Sequence, residues 1–226
     1  MANVTAQDVK VLRDRTGAGM MDCKKALVEA DNDQEKAVEI IKKKGLAKAA
    51  KRAGAIAAEG LIHAYIHAGS RIGVLVEVNC QTDFVARNEE FKALVDEVGL
   101  QIASSAPLYV READIPDEDL TKQKALFRGQ LEEEEKKTGK KKPEQAVAKI
   151  IEGKLNKWLG EVCLDNQELV TRDDKKTVGS ACEELTAKLG EKIAVRRFVR
   201  YELGEGIEVV KKDLAADVAE TLAKGS

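Results

Sequence analysis

The amino-acid sequence predicts an α+β protein: an N-terminal three-helix bundle, an antiparallel β-sheet core with packed helices, an inserted antiparallel helical hairpin and a C-terminal helix. Three observations carry this prediction. Apolar residues recur at helical spacing up to about residue 45, then at period two in a pair of runs joined by the turn AGSR (68–71). A third alternating run follows much later, over 192–203. Between the strands lies a highly charged segment (117–155) whose sparse apolar residues suggest a thin-seamed antiparallel helical hairpin.

Each element has its own local reason. Thr5 followed by Asp8 resembles a capping box, and Val9 and Leu12 begin an apolar face. The glycines of TGAGM (16–20) let the chain reverse before a second helix, from about Asp22, that carries Ala26, Leu27 and Ala30 on one side. Asp33 can cap a third helix, with Ala37, Val38, Ile40 and Ile41 facing inward and Gly45 as its C′ residue. Helices this short must pack together to be stable. They make residues 1–45 one module, and the Ala-, Lys- and Gly-rich stretch 46–60 reads as a partly helical linker.

Ile62, Ala64 and Ile66 alternate with His63, Tyr65 and His67, and Ile72, Val74, Val76 and Val78 alternate after the turn, which is a β-hairpin pattern. In the late run Ile193, Val195, Val199 and Tyr201 are expected on one face, and a short strand is possible over 161–164. A helix from about Asp83 to Ser104 offers Phe91, Leu94, Val95, Val98 and Ile102 as its buried stripe. Another, from about Thr177 to Leu189, is stopped by Gly190. Residues 61–115 and 157–210 thus form an α+β core, interrupted by the hairpin over 116–156. Asp213 can cap a terminal helix over 211–226.

Composition narrows the function. Charged residues make up 35% of the 226, against about 25% in an ordinary globular protein, which implies much exposed helix surface. The net charge of −2 gives no global attraction to nucleic acid, so no direct nucleic-acid partner is expected. The four cysteines are scattered without a CxxC pair and read as small buried residues of a reduced protein. No apolar run approaches the roughly 20 residues of a membrane span, and the first ten residues lack a hydrophobic signal core. A cytoplasmic protein without membrane contact is the expectation.

No catalytic constellation is present. His63 and His67, four apart on a strand that rises about 3.3 Å per residue, would stand roughly 13 Å apart, too far to share a metal. Phosphate-loop, dinucleotide and nucleophile-elbow motifs are missing. A non-enzymatic protein without cofactor or metal is expected. The basic residues between 42 and 52, and those at 140–142, read most simply as solvated faces.

The most informative segment is EVNCQTDFVAR (77–87), the end of a buried strand turning into a helix. Two readings of Asp83 and Phe84 stand. On a helical wheel Phe84 is in phase with Phe91, Val98 and Ile102, and Asp83 is an ordinary first-turn acid, so the residues alone favour a cap and a core plug. The other reading is a probe: a first-turn residue can lie beyond the sheet edge and protrude, in which case Phe84 is solvent-exposed.

The runs LRDRTGAGMMDCKKAL (12–27) and EVNCQTDFVAR, with GEGIE (204–208), closely resemble the elongation factor Ts family over nearly the whole chain. Members are guanine-nucleotide exchange factors for elongation factor Tu. The resemblance implies a ubiquitin-associated-like (UBA-like) fold for the first module. It also implies that Thr82, Asp83 and Phe84 contact the G domain of elongation factor Tu near the nucleotide-bound Mg²⁺, with Phe84 wedging between its side chains. This reverses the preference for a core plug and makes Phe84 solvent-exposed in the free protein. His67, Ala68 and Gly69 match a second contact region. The N-terminal module, with Arg13, Gly19 and Met20 foremost, would dock on the same G domain. Longer members carry two related halves of the sheet domain, whereas this chain has room for one; by likeness to short members a homodimer through the sheet is expected.

Overall fold

A capping box opens the first helix, α1 (Ala6–Thr16): the Thr5 hydroxyl accepts the Asp8 amide and the Asp8 carboxylate accepts the Thr5 amide. The computed structural model describes residues 4–52, 54–139 and 141–207; the helix expected over 211–226, and Glu208 at the end of GEGIE, lie outside them. Helices α2 (Met20–Glu29) and α3 (Gln34–Arg52) complete a bundle around Leu12, Cys23, Ala26, Leu27, Ala30 and Ala37. Asp33 Oδ1 accepts the amides of Glu35 and Lys36, so α3 starts where the sequence indicates. It does not stop at Gly45. The helix continues to Arg52, and Gly45 serves packing instead: a Cβ there would sit 3.0 Å from Cβ of Ala187 in α8 (Val178–Leu189). The missing side chain lets the two helices approach.

Among the described residues three strands, β1 (Glu59–Ile66), β2 (Ile72–Cys80) and β3 (Ala194–Glu202), form an antiparallel sheet in the order β1-β2-β3. Central β2 turns Val74, Val76, Val78 and Cys80 toward α5 (Glu89–Ser105) and α8, where they meet Phe91, Val95, Val98 and Ile102 in the main core. The core residues of β1 are unexpected ones. His63 and Tyr65 pack over Gly99 of α5, while Ile62, Ala64 and Ile66 lie on the open face of the sheet.

Two expectations are corrected by local backbone chemistry. Val199 and Tyr201 do not share a face with Ile193 and Val195. Val78 pairs with Val195 but Glu77 with Arg197, so Arg196 is an extra residue, a β-bulge that shifts the alternation by one. Beyond it Phe198 packs against the core and Val199 and Tyr201 are exposed on the open face. Nor is the segment after β2 one helix. Asn88 Oδ1 accepts the amides of Glu90 and Phe91 and caps a new helix, so a single turn, α4 (Asp83–Ala86), precedes α5.

The hairpin consists of α6 (Asp117–Thr138) and α7 (Glu144–Val162). Among its described residues only Leu131, Val147, Leu159 and Val162 are buried, the last two near the core, and exposed pairs such as Arg128–Glu144 (2.9 Å) line its sides. The stretch 161–164 is no strand: α7 continues through Val162, and Cys163 makes a single parallel bridge to Tyr109. Packing of Leu159, Val162 and Cys163 against Tyr109 keeps this end helical.

Candidate functional site

Strand β2 ends inside the core. Cys80 is buried, its Sγ 3.1 Å from the carbonyl oxygen of Thr82, and burial pushes its thiol up to about 11, so it stays protonated. The chain then turns through Gln81 and Thr82 into α4. The Thr82 hydroxyl donates to the Glu191 carboxylate (2.7 Å) instead of capping α4, and the amides of Gln81 (3.2 Å) and Thr82 (2.9 Å) donate to the same carboxylate. In return the side-chain carbonyl of Gln81 accepts the Lys192 amide at 3.0 Å. Val85 and Ala86 are buried and pin α4 from beneath.

Asp83 and Phe84 occupy the outward side of this turn. Phe84 is 82% exposed, whereas Phe91, seven residues on, is fully buried. The break at Arg87–Asn88 resets the helical phase that a continuous helix would have imposed on both. The Asp83 carboxylate pairs with Arg87 at 3.0 Å, and both side chains are largely in solvent. Such a pair is worth little, so a partner can take over the carboxylate at small cost.

The N-terminal loop sits at the same end of the core. Gly17, in the left-handed region (φ 64°), ends α1 with its amide on the Arg13 carbonyl at 2.7 Å. Its missing side chain admits Lys188: a Cβ on Gly17 would lie 2.2 Å from Lys188 Cε. The Lys188 ammonium continues to Glu90 at the start of α5, next to the corner. Arg52, the last residue of α3, reaches the side-chain carbonyl of Gln81 at 3.5 Å. Gly19 precedes α2, Met20 is its 62% exposed first residue, and the Arg13 side chain is exposed.

His67, Ala68 and Gly69 lie apart from this group. They are exposed in the turn between β1 and β2, where the Ser70 amide donates to the His67 carbonyl and Tyr65 Oη lies 3.1 Å from His67 Nδ1. Ile66 pairs with Gly73 at that end and Glu59 with Cys80 at the other. At about 3.3 Å per residue the turn and the corner are roughly 23 Å apart. A partner touching both must span the long edge of the hairpin.

Sequence reasoning missed Glu191, Lys188 and Arg52, the residues that hold the corner and the N-terminal loop together. Glu191 stands 109 positions from Thr82, and nothing in local spacing links them. Among the described residues, no group of histidine, cysteine and acidic side chains is arranged to hold a metal ion, and no helix is long and apolar enough to cross a membrane. A cleft of about 540 Å³ between the helical bundle and α5 and α8 is lined by the pairs Glu97–Arg172, Glu184–Lys176 and Glu90–Lys188, whose charges satisfy one another.

The model of the family Elongation factor TS matches residues 8–205. Elongation factor Ts of Moorella thermoacetica is 57% identical over 204 residues, covering 90% of this chain and 97% of that protein. The Myxococcus xanthus protein of the same name is 54% identical over 224 residues, covering 99% of this chain and 100% of its own length. The Desulforamulus reducens one is 52% identical over 219 residues, covering 97% and 98%. The match takes in the bundle, the sheet, the hairpin and the corner alike, and the chain belongs to the elongation factor Ts family.

Proposed function

We propose that this chain speeds GDP release from elongation factor Tu by pressing Thr82, Asp83 and Phe84 into the G domain beside the Mg²⁺ and phosphates of the bound nucleotide. Family membership makes it a nucleotide exchange factor for elongation factor Tu in translation elongation, and not an enzyme. The observation that carries the finer reading is an aromatic side chain 82% exposed on a backbone turn held from below by buried Val85 and Ala86. An exposed aromatic on a rigid support is the kind of anchor that dominates interfaces, because little entropy is lost when it docks. Arg13, Gly19 and Met20 would dock on the same domain from the corner's end of the molecule, and His67, Ala68 and Gly69 from the far turn. The cytoplasm is the compartment in which this partner is met.

The thermodynamics are those of linkage. A factor that binds the nucleotide-free partner more tightly weakens nucleotide binding by the same factor. Each tenfold requires about 1.4 kcal/mol of differential contact. Loss of one buried anchor costs about 2 to 3 kcal/mol, so Asp83→Ala with Phe84→Ala should slow exchange about 30- to 150-fold. Release of fluorescent GDP from elongation factor Tu measures it, and a double variant as fast as the parent rules out the corner.

The same reading includes a homodimer through the sheet, and a division into a helical module (1–45), an α+β core and an inserted hairpin. What supports the dimer is the open sheet face. Ile62 and Ile66 on β1, Leu75 on β2, and Val199 and Tyr201 on β3 are all exposed there, with Ala64, Leu75 and Val199 as cross-strand neighbours. A contiguous apolar patch seeks cover, and a twofold axis lets one patch cover its own copy. Sedimentation should show a dimer at micromolar concentration and a monomer for Leu75→Glu; a parental monomer would refute the pairing.

A further inference from the structure

We propose that Glu191 is a positioning residue for exchange: its carboxylate sets the direction in which Asp83 and Phe84 project. The inference rests on the assignment of that corner as the partner-binding site. The geometry is a reciprocal brace between two turns far apart in sequence. Glu191 takes the Gln81 and Thr82 amides on one oxygen and the Thr82 hydroxyl on the other, and Gln81 takes the Lys192 amide. These amides lie just beyond Cys80, where the β1–β2 and β2–β3 ladders have ended, so without Glu191 they would have to find water. Hydrogen bonds to an ionised acceptor are the stronger kind, and three converge here.

The brace acts on direction more than on folding. Thr82 turns its hydroxyl toward Glu191, and α4 has no side-chain cap. A cap would have stabilised α4 locally and left the turn free to swing on Cys80. The bond to Glu191 instead ties the turn to the end of α8, where Gly190 leads out of the helix. Arg52 of α3 donates to the same Gln81 oxygen that takes the Lys192 amide, at 3.5 Å. The corner is therefore held from two other parts of the chain, α3 and the turn after α8, with the Glu191 carboxylate taking three of the bonds.

The test is steady-state exchange on elongation factor Tu·GDP with the full chain. Glu191→Ala should lower the saturating rate about tenfold while the half-saturating concentration moves less than about threefold, because docking elsewhere is untouched and only contacts made during release suffer. Glu191→Gln keeps an acceptor oxygen for the amides and should stay within about threefold of the parent. Hydrogen exchange should show the Gln81 and Thr82 amides losing protection in Glu191→Ala while β2 stays protected. Should Glu191→Ala not fold, Gln81→Ala removes the reciprocal bond from Lys192 together with the long Arg52 contact, and should lower the saturating rate about threefold with the melting temperature little changed. A folded Glu191→Ala, or in its place Gln81→Ala, with the parental saturating rate overturns the proposal. The Asp83→Ala/Phe84→Ala protein is measured in parallel. If it is slow and Glu191→Ala is not, only the positioning role falls; if it is as fast as the parent, the site assignment falls.

Discussion

The two ends of the β1–β2 hairpin are built on different plans. At the His67 end the chain reverses through its own hydrogen bonds, Ser70 to His67 and His67 to Ile72, with Gly69 (φ 88°) and Ser70 (φ 56°) in the left-handed region. At the Gln81 end the chain leaves a buried cysteine and is held by a glutamate more than a hundred residues away. The first end presents small residues on a locally defined turn. The second presents an aromatic ring on a platform that tertiary structure makes rigid. A turn closed by its own bonds tolerates change and adapts, whereas a braced corner keeps one geometry and can transmit force to a partner.

The strongest way to break this contrast is to compare the two phenylalanines of the braced end. Phe91→Ala should cost about 3–5 kcal/mol of stability, since it empties the core under the corner. Phe84→Ala should change stability by less than about 0.5 kcal/mol, because an 82% exposed ring has little to lose. Urea unfolding of both variants decides it. If Phe84→Ala destabilises like Phe91→Ala, the ring is a core plug after all.

A middle-sized effect sharpens the role of the helix break. Asn88→Ala removes the cap of α5 and should cost about 1 kcal/mol. It should also raise hydrogen exchange at Glu90 and Phe91, leaving the His67 turn unchanged. Equal changes at both ends would mean that the hairpin responds as one body.

The smallest effect concerns the middle of the hairpin. Glu77 accepts from Arg196 (2.8 Å) and Arg197 (2.7 Å), the residues at the bulge, and these bonds bring its carboxyl down to about 2 from the ordinary 4.5. Because the folded value is depressed, the contribution is complete above about pH 4.5 and fades as pH falls toward 2. Glu77→Gln should therefore lower the melting temperature modestly at neutral pH, and the gap to the parent should close in that acid window. A gap that persists at pH 2 would show that Glu77 acts through packing rather than charge.

Much of this molecule was legible in one dimension wherever the controlling interaction is local. The Thr5–Asp8 box, the Asp33 cap, the stripe from Phe91 to Ile102 and the stop at Gly190 all depend on neighbours within one or two turns. Periodicity fails where one residue changes the count. The extra Arg196 moved Val199 and Tyr201 to the open face, and Asn88 cut a helix whose apolar phase ran unbroken through Phe84. Gly45 looked like a stop because glycine is a poor helix former, yet packing against Ala187 kept it inside α3.

The site divides along the same line. By itself the sequence determined that Thr82, Asp83 and Phe84 sit at a strand-to-helix corner, that no catalytic set accompanies them, and which family's motifs they share. Periodicity could not say whether Phe84 points in or out, since a phase angle means nothing until the helix boundary is known; the family's motif predicts an exposed ring, and it is 82% exposed. The local Asn88 cap sets that boundary, and only the tertiary structure decided which side of the turn is covered, by burying Val85 and Ala86. It alone brought Glu191 to Thr82 and Lys188 to Gly17. The physical reason is range. Caps and stripes are set by torsions and contacts a few residues apart, whereas a brace between residues 82 and 191 exists only once the sheet and α8 have packed.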